Sequence, residues 1–111
     1  ETSSNLGKFG YSDIGVVVGA TQPQDARLIR KILPKSLFLI PGFGAQGANA
    51  SEALSGLILK NKIYEGGLIN CSRSILFPKD SYDLNHSLKW KEKIVSVLIK
   101  TTNELKFRTV W

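Results

Sequence analysis

SLFLIPGFGAQGANASEAL, residues 36–54, runs three kinds of sequence together. An apolar segment ends at Pro41, a loop follows with three glycines and one glutamine in the seven residues 41–47, and a helical pattern begins at Asn49. A buried strand that passes through glycine into a helix lets backbone come close to a ligand, and phosphate is the commonest such ligand. Asn49 and Glu52 have capping-box spacing, so the helix is expected to start there and to continue through NASEALSGLILKNK, residues 49–62.

The same succession occurs on both sides. Upstream, IGVVVGA (14–20) is continuous and β-branched, the pattern of a parallel strand covered on both faces. TQPQDARLIRKIL (21–33) follows as a helix, with Thr21 and Gln24 at capping-box spacing, Pro23 in the first turn and Pro34 as its stop. Arg27, Arg30 and Lys31 then read as cations complementing the dipole of that helix, and Lys60 and Lys62 as those of the next. Downstream, GGLINCSRSIL (66–76) reads as a third strand. A closing amphipathic helix carries Trp90, Ile94, Val97, Leu98 and Leu105 at helical spacing. Three βα units in succession predict an α/β chain with a parallel sheet.

Composition bounds the size and setting. A chain of 111 residues with 42% hydrophobic content has room for one core, so residues 1–111 read as a single segment. No run is long enough for a transmembrane helix, and ETSSNLGKFG (1–10) lacks the layout of a signal peptide. The single cysteine, Cys71, cannot form an internal disulfide, which suits a reducing, cytoplasmic setting. The absence of methionine, at position 1 as elsewhere, suggests processing or a piece of something longer. The net charge of +6 is scattered and lacks interleaved aromatics, so nucleic acid is not the expected partner.

In parallel βα architecture the chemistry lies beyond the carboxyl ends of the strands. Those ends present Gly19–Thr21, residues 41–47 and residues 71–74. Arg73 offers a planar fork of donors, the Gln46 amide offers another, and glycine leaves backbone N–H groups within reach. Together they make a phosphate cradle. The competing reading is that Gly42, Gly44 and Gly47 only satisfy turn geometry while Arg73 pairs with a carboxylate. Thr21 can either reach a ligand or cap its helix.

VVVGAT (16–21), FLIPGFGAQGA (38–48) and GGLINCSRSILF (66–77), in this order and at these separations, resemble the C-terminal part of orotidine 5′-phosphate decarboxylases of the bacterial-type branch. The resemblance covers roughly residues 15–77. It implies the region of strands six to eight of a (β/α)8 barrel. The enzyme would be a homodimer without metal or organic cofactor, converting orotidine 5′-monophosphate to uridine 5′-monophosphate and carbon dioxide. It makes Gln46 a phosphate ligand from a closing loop and Arg73 the phosphate-gripping arginine, with backbone near Ser72 assisting. Pro41 would border the pyrimidine pocket, and Gly44 and Gly47 are further candidates. The serine pair of that branch is met here by Cys71 and Ser72, and no role carries over to Cys71.

The family's catalytic D-x-K-x-x-D array is absent from these 111 residues; Lys79 and Asp80 are adjacent and Asp83 falls in a polar patch. The catalytic lysines and aspartates are therefore expected on an upstream part of the barrel, which would be a partner of this segment. His86 lacks a second ligand at metal spacing and reads as a loop residue. Cys71 reads as a small packing residue, and Trp90 and Trp111 as packing against the barrel or a partner subunit. Two other functions fit an α/β chain with a phosphate cradle. One is a non-catalytic flavodoxin-like module for a phosphorylated metabolite or RNA, and the other is a related sugar-phosphate barrel enzyme.

Overall fold

The computed structural model describes residues 5–78 and 87–106. Lys79, Asp80, Asp83, His86 and Trp111 lie outside the described residues. The elements in order are β1 (Val16–Val17), α1 (Pro23–Ile32), β2 (Phe38–Ile40), α2 (Ala50–Leu54), β3 (Ile58–Lys60), β4 (Ile63–Glu65), β5 (Gly67–Ile69), α3 (Arg73–Leu76) and α4 (Ser87–Lys106). The α/β reading holds. β1, β2 and β5 form a parallel sheet in the order β1-β2-β5, with Val17 opposite Leu39 and Leu39 opposite Leu68.

Strand alternation divides this sheet into two faces. Val18, Ala20, Phe38 and Ile40 point to one side, where they make the core with Ala26, Phe43, Ala48 and Ala53. Phe38 and Ile40 are each 1% exposed. On the other side the registered row Val17, Leu39 and Leu68 is 69%, 44% and 74% exposed and borders a groove of 460 Å3. Among the described residues the helices cover one face of the sheet, and the second face expected to be covered on the first strand stands open.

Other boundaries also differ. The N-cap of α1 is Gln22, one residue beyond Thr21, with no side-chain cap bond, because Pro23 already occupies the first turn. The Thr21–Gln24 capping box therefore does not form. The Asn49–Glu52 box does, with Glu52 N–H donating to Asn49 Oδ1 at 3.0 Å and Asn49 N–H to Glu52 Oε2 at 2.8 Å. Yet α2 stops at Leu54 instead of running to Lys62. Gly56 is a poor helix residue, and the β-prone segments beyond it pair as an antiparallel hairpin, with Ile58 opposite Glu65 and Lys60 opposite Ile63. Asn61 and Lys62 turn that hairpin at φ of 49° and 66°. Lys60 and Lys62 consequently cap no helix; Lys60 lies 3.9 Å from Glu65.

The third strand is also shorter than expected. β5 ends at Ile69, and residues 73–76 close a helical turn through Leu76 N–H to Ser72 O and Phe77 N–H to Arg73 O, both 2.8 Å. α4 forms where the closing amphipathic helix is expected and packs on α2 and α3, with Leu105 against the core. Trp90 is 37% exposed and stands outside that core.

Arg30 does not simply end a helix. It is 9% exposed, and its guanidinium donates to Gly56 O at 2.9 Å, Leu33 O at 3.2 Å, Ser36 O at 2.7 Å and Gly66 O at 2.8 Å, 3.6 Å above the Phe38 ring. Burial pushes its pKa below the usual arginine value. Replacing Arg30 with alanine should cost the folded full-length protein about 3–5 kcal/mol, since buried carbonyls lose charged donors together. Arg30→Lys should recover only part, because one ammonium cannot reproduce the fork. Denaturant titration checks both. At the hairpin, Lys62→Gly should stabilise by roughly 1 kcal/mol in the same titration, since two left-handed residues favour Asn-Gly.

Candidate phosphate-handling site

Two segments meet at the carboxyl edge of the sheet because β2 and β5 are adjacent and parallel. The first is the loop after β2. Gly42, Gly44 and Gly47 hold φ of 105°, 75° and 95°, conformations that ordinary side chains resist. The loop folds on itself through Gly47 N–H to Gly44 O at 2.9 Å, Gly44 N–H to Ala48 O at 3.0 Å and Ala48 N–H to Gly42 O at 3.3 Å. The second segment is residues 70–74 after β5. A Cβ placed on Gly44 would stand 2.9 Å from Ser74 Oγ and 3.8 Å from Cys71 Sγ, so glycine allows the two segments to touch.

Cys71 is half-buried against the core, and its Sγ lies 3.0 Å from Ser74 Oγ. Ser72 is exposed and its hydroxyl donates to Asn70 Oδ1 at 2.8 Å. Asn70 N–H in turn donates to Ile40 O at 2.9 Å, which ties the base of this turn to β2. Arg73 is the first residue of α3 and exposed. It lines a cleft of 680 Å3 with Phe43, Gly44, Ala45, Ser74 and Phe77, facing Lys93, Lys100 and Glu104 of α4.

Gln46 is not among the residues lining that cleft. Its Oε1 lies 3.2 Å from the position of a Cβ on Gly42, where Thr21 Cγ2 and Ala20 Cβ also approach. Gln46 thus folds back toward the end of β1, and Arg73 faces α4. Thr21 is exposed beside Gly42 and free of the capping role. Pro41 is half-buried at the strand end, its carbonyl accepting from Ala20 N–H at 2.8 Å. The structure therefore joins Gly44 and the 71–74 turn, and of the two proposed phosphate donors Arg73 lines the cleft while Gln46 does not.

Three contributors were missed in the sequence. Ser74 packs on Gly44, and its signal is the three-residue step from Cys71 across a helical turn. Lys93 and Lys100 were legible only as scattered charge, although their seven-residue spacing puts them on one helix face.

Sequence comparison gives this geometry its kin. The chain is 48% identical over 77 residues to the orotidine 5′-phosphate decarboxylase of Caldicellulosiruptor bescii, covering 69% of this chain and 24% of that protein. It is 49% identical over 78 residues to the Clostridium novyi enzyme of the same name, covering 70% and 26%. With the Rhodopirellula baltica enzyme of that name it shares 32% over 106 residues, covering 93% and 34%. The chain spans about a quarter to a third of the length of these curated relatives. A solved Toxoplasma gondii structure overlaps with a TM-score of 0.49 and 33% identity, over 83% of this chain and 30% of that one. No protein-family model matches the chain.

Gly44 and Gly47 make a controlled pair. Both hold positive φ, but a Cβ on Gly47 meets nothing within 4 Å while one on Gly44 meets Ser74 Oγ. Gly47→Ala should cost about 1 kcal/mol for backbone strain alone, and Gly44→Ala measurably more, in denaturant titration of the full-length protein. Equal losses would contradict the packed contact.

Proposed function

We propose, on the premise that this chain is a sequence relative of the orotidine 5′-phosphate decarboxylases, that it is the phosphate-binding C-terminal part of such an enzyme. The reaction breaks the bond between the pyrimidine ring and its carboxylate in orotidine 5′-monophosphate. Carbon dioxide leaves, a proton takes its place on the ring carbon, and uridine 5′-monophosphate results. The groups for that step belong to an upstream segment carrying lysines and aspartates. The assembled enzyme is a cytoplasmic homodimer under this reading.

The role of this chain is to hold the remote phosphate. Gln46 swings from its position beside Gly42 over the bound nucleotide, Arg73 grips the phosphate through its fork, and backbone at Ser72 adds donors. Pro41 borders the pyrimidine, with Thr21 beside it. Binding energy gained at the phosphate through loop closure is spent on the transition state at the ring. The observation that carries this reading is the close approach of Gly44 to Ser74, which brings the loop after β2 and the 70–74 turn to one sheet edge.

The exposed row Val17, Leu39 and Leu68 supports the barrel assignment, since barrel strands bury both faces and β1 and β5 would each gain a neighbour. No described helix is long and apolar enough to cross a membrane.

In the full-length protein, uridine 5′-monophosphate should raise the melting temperature selectively over inorganic phosphate and guanosine 5′-monophosphate, because a ligand of the native state stabilises it. Arg73→Ala should lower kcat/KM for orotidine 5′-monophosphate by about 100-fold or more, mostly through KM. A near-normal kcat/KM removes Arg73 from the site. Equal thermal response to every phosphate compound favours a generic anion module instead.

A further inference from the structure

α4 turns Lys93, Val97, Lys100, Thr101 and Glu104 toward the cleft that holds Arg73. These positions follow the spacing of one helix face. Val97 and Thr101 on this face are half-buried, and Lys93 and Lys100 beside them are exposed. With Arg73 the two lysines place three cations in the cleft against the single carboxylate of Glu104. Among the described residues the ion pair is Lys60 with Glu65 on the hairpin, so none of these cations forms a close ion pair with a described carboxylate. Glu104 follows Lys100 by four residues, the weaker order for a helical pair.

The walls sharpen the field. Phe43 and Phe77 give the cleft apolar sides, and charges of one sign between low-dielectric walls concentrate counter-ions. Thr101 adds a hydroxyl donor.

We propose that the cleft between the 42–47 loop, α3 and α4 is an anion site in which Lys93 and Lys100 act together with Arg73 on a phosphate group. The ligand class, a phosphate dianion or a phosphomonoester, rests on the phosphate reading of Arg73. Arginine fixes orientation through its planar fork, and the two lysines supply mobile point charges that follow the anion as the loop moves. α4 thereby becomes part of the ligand site and not only cover for the sheet.

The test is isothermal titration of the full-length protein with inorganic phosphate. It compares wild type, the double variant Lys93→Ala/Lys100→Ala, the conservative Lys93→Arg/Lys100→Arg, and a control, Lys89→Ala/Lys91→Ala, that removes equal charge from α4 outside the cleft. All four side chains are exposed, so folding should survive and circular dichroism verifies it. The alanine double variant should weaken phosphate roughly tenfold, the control less than twofold, and the arginine variant should hold near wild type. Unchanged affinity in the alanine variant, equal loss in the control, or no phosphate binding by the wild type would each overturn the proposal. Decarboxylation measured in parallel separates the two readings. Lysine-dependent phosphate binding without turnover keeps the cleft and removes the decarboxylase.

Discussion

One buried guanidinium ties together the places where this chain changes direction. Arg30 reaches carbonyls after α1, before β2, after α2 and before β5, and it stands over the Phe38 ring on the central strand. Each of these carbonyls sits at or beyond the end of an element, and the fork adds hydrogen bonds there that neither helix nor sheet supplies. Gly66 O also accepts Phe38 N–H at 2.9 Å, which fixes β5 against β2 in the same stroke. Gly66 itself must be glycine, since its φ is 89° and a Cβ would stand 3.3 Å from Arg30 Nη2. The buried charge is balanced by dipoles and a ring face, with Tyr11 and Glu65 nearby. Tyr11 has its pKa raised by burial, then by the Glu65 charge and hydrogen bond, against the opposing charge of Arg30.

This anchor lies at the amino ends of β2 and β5, and the glycine loop and the 70–74 turn lie at their carboxyl ends. The division has a physical cause. An end locked by four charged hydrogen bonds holds the strands in register, and the opposite end can then carry residues chosen for exposure: Gln46, Ser72 and Arg73 are all open to solvent. Stability at one end of parallel strands and chemistry at the other is the arrangement that lets loops vary without unfolding the sheet.

What was legible in the sequence follows from range of interaction. The βα succession, the Asn49 cap and the long final helix come from local patterns, and all three are present. The glycine loop of the candidate site was legible because glycine at positive φ leaves a compositional trace. The helix expected through Lys62 failed because apolar ILK and IYE fit helix and strand alike, and pairing across the Asn61–Lys62 turn decided between them. Arg30 was invisible in its role, since a cation in a last helical turn has a sufficient local explanation and its four acceptors lie 3 to 36 residues away. That Gln46 lies beside Gly42 and outside the cleft lined by Arg73 was equally hidden, because loop order says nothing of which way a side chain folds.

The apolar row Val17, Leu39 and Leu68 links the fold to its proposed context. The alternation that buries Phe38 and Ile40 must send Val17, Leu39 and Leu68 the other way, so the open face is a consequence of the core and cannot be removed by repacking helices. An isolated three-stranded sheet with this face in water would forgo the burial of three large side chains and leave both edges unpaired. A barrel resolves both problems at once, since closure gives the edges neighbours and turns the open face into an interior. The same closure would set the 41–47 loop and the 71–74 turn beside the strand ends of the upstream part. Under the proposed reading, the groups that hold phosphate and the groups that act on the ring therefore become neighbours by the step that completes the core.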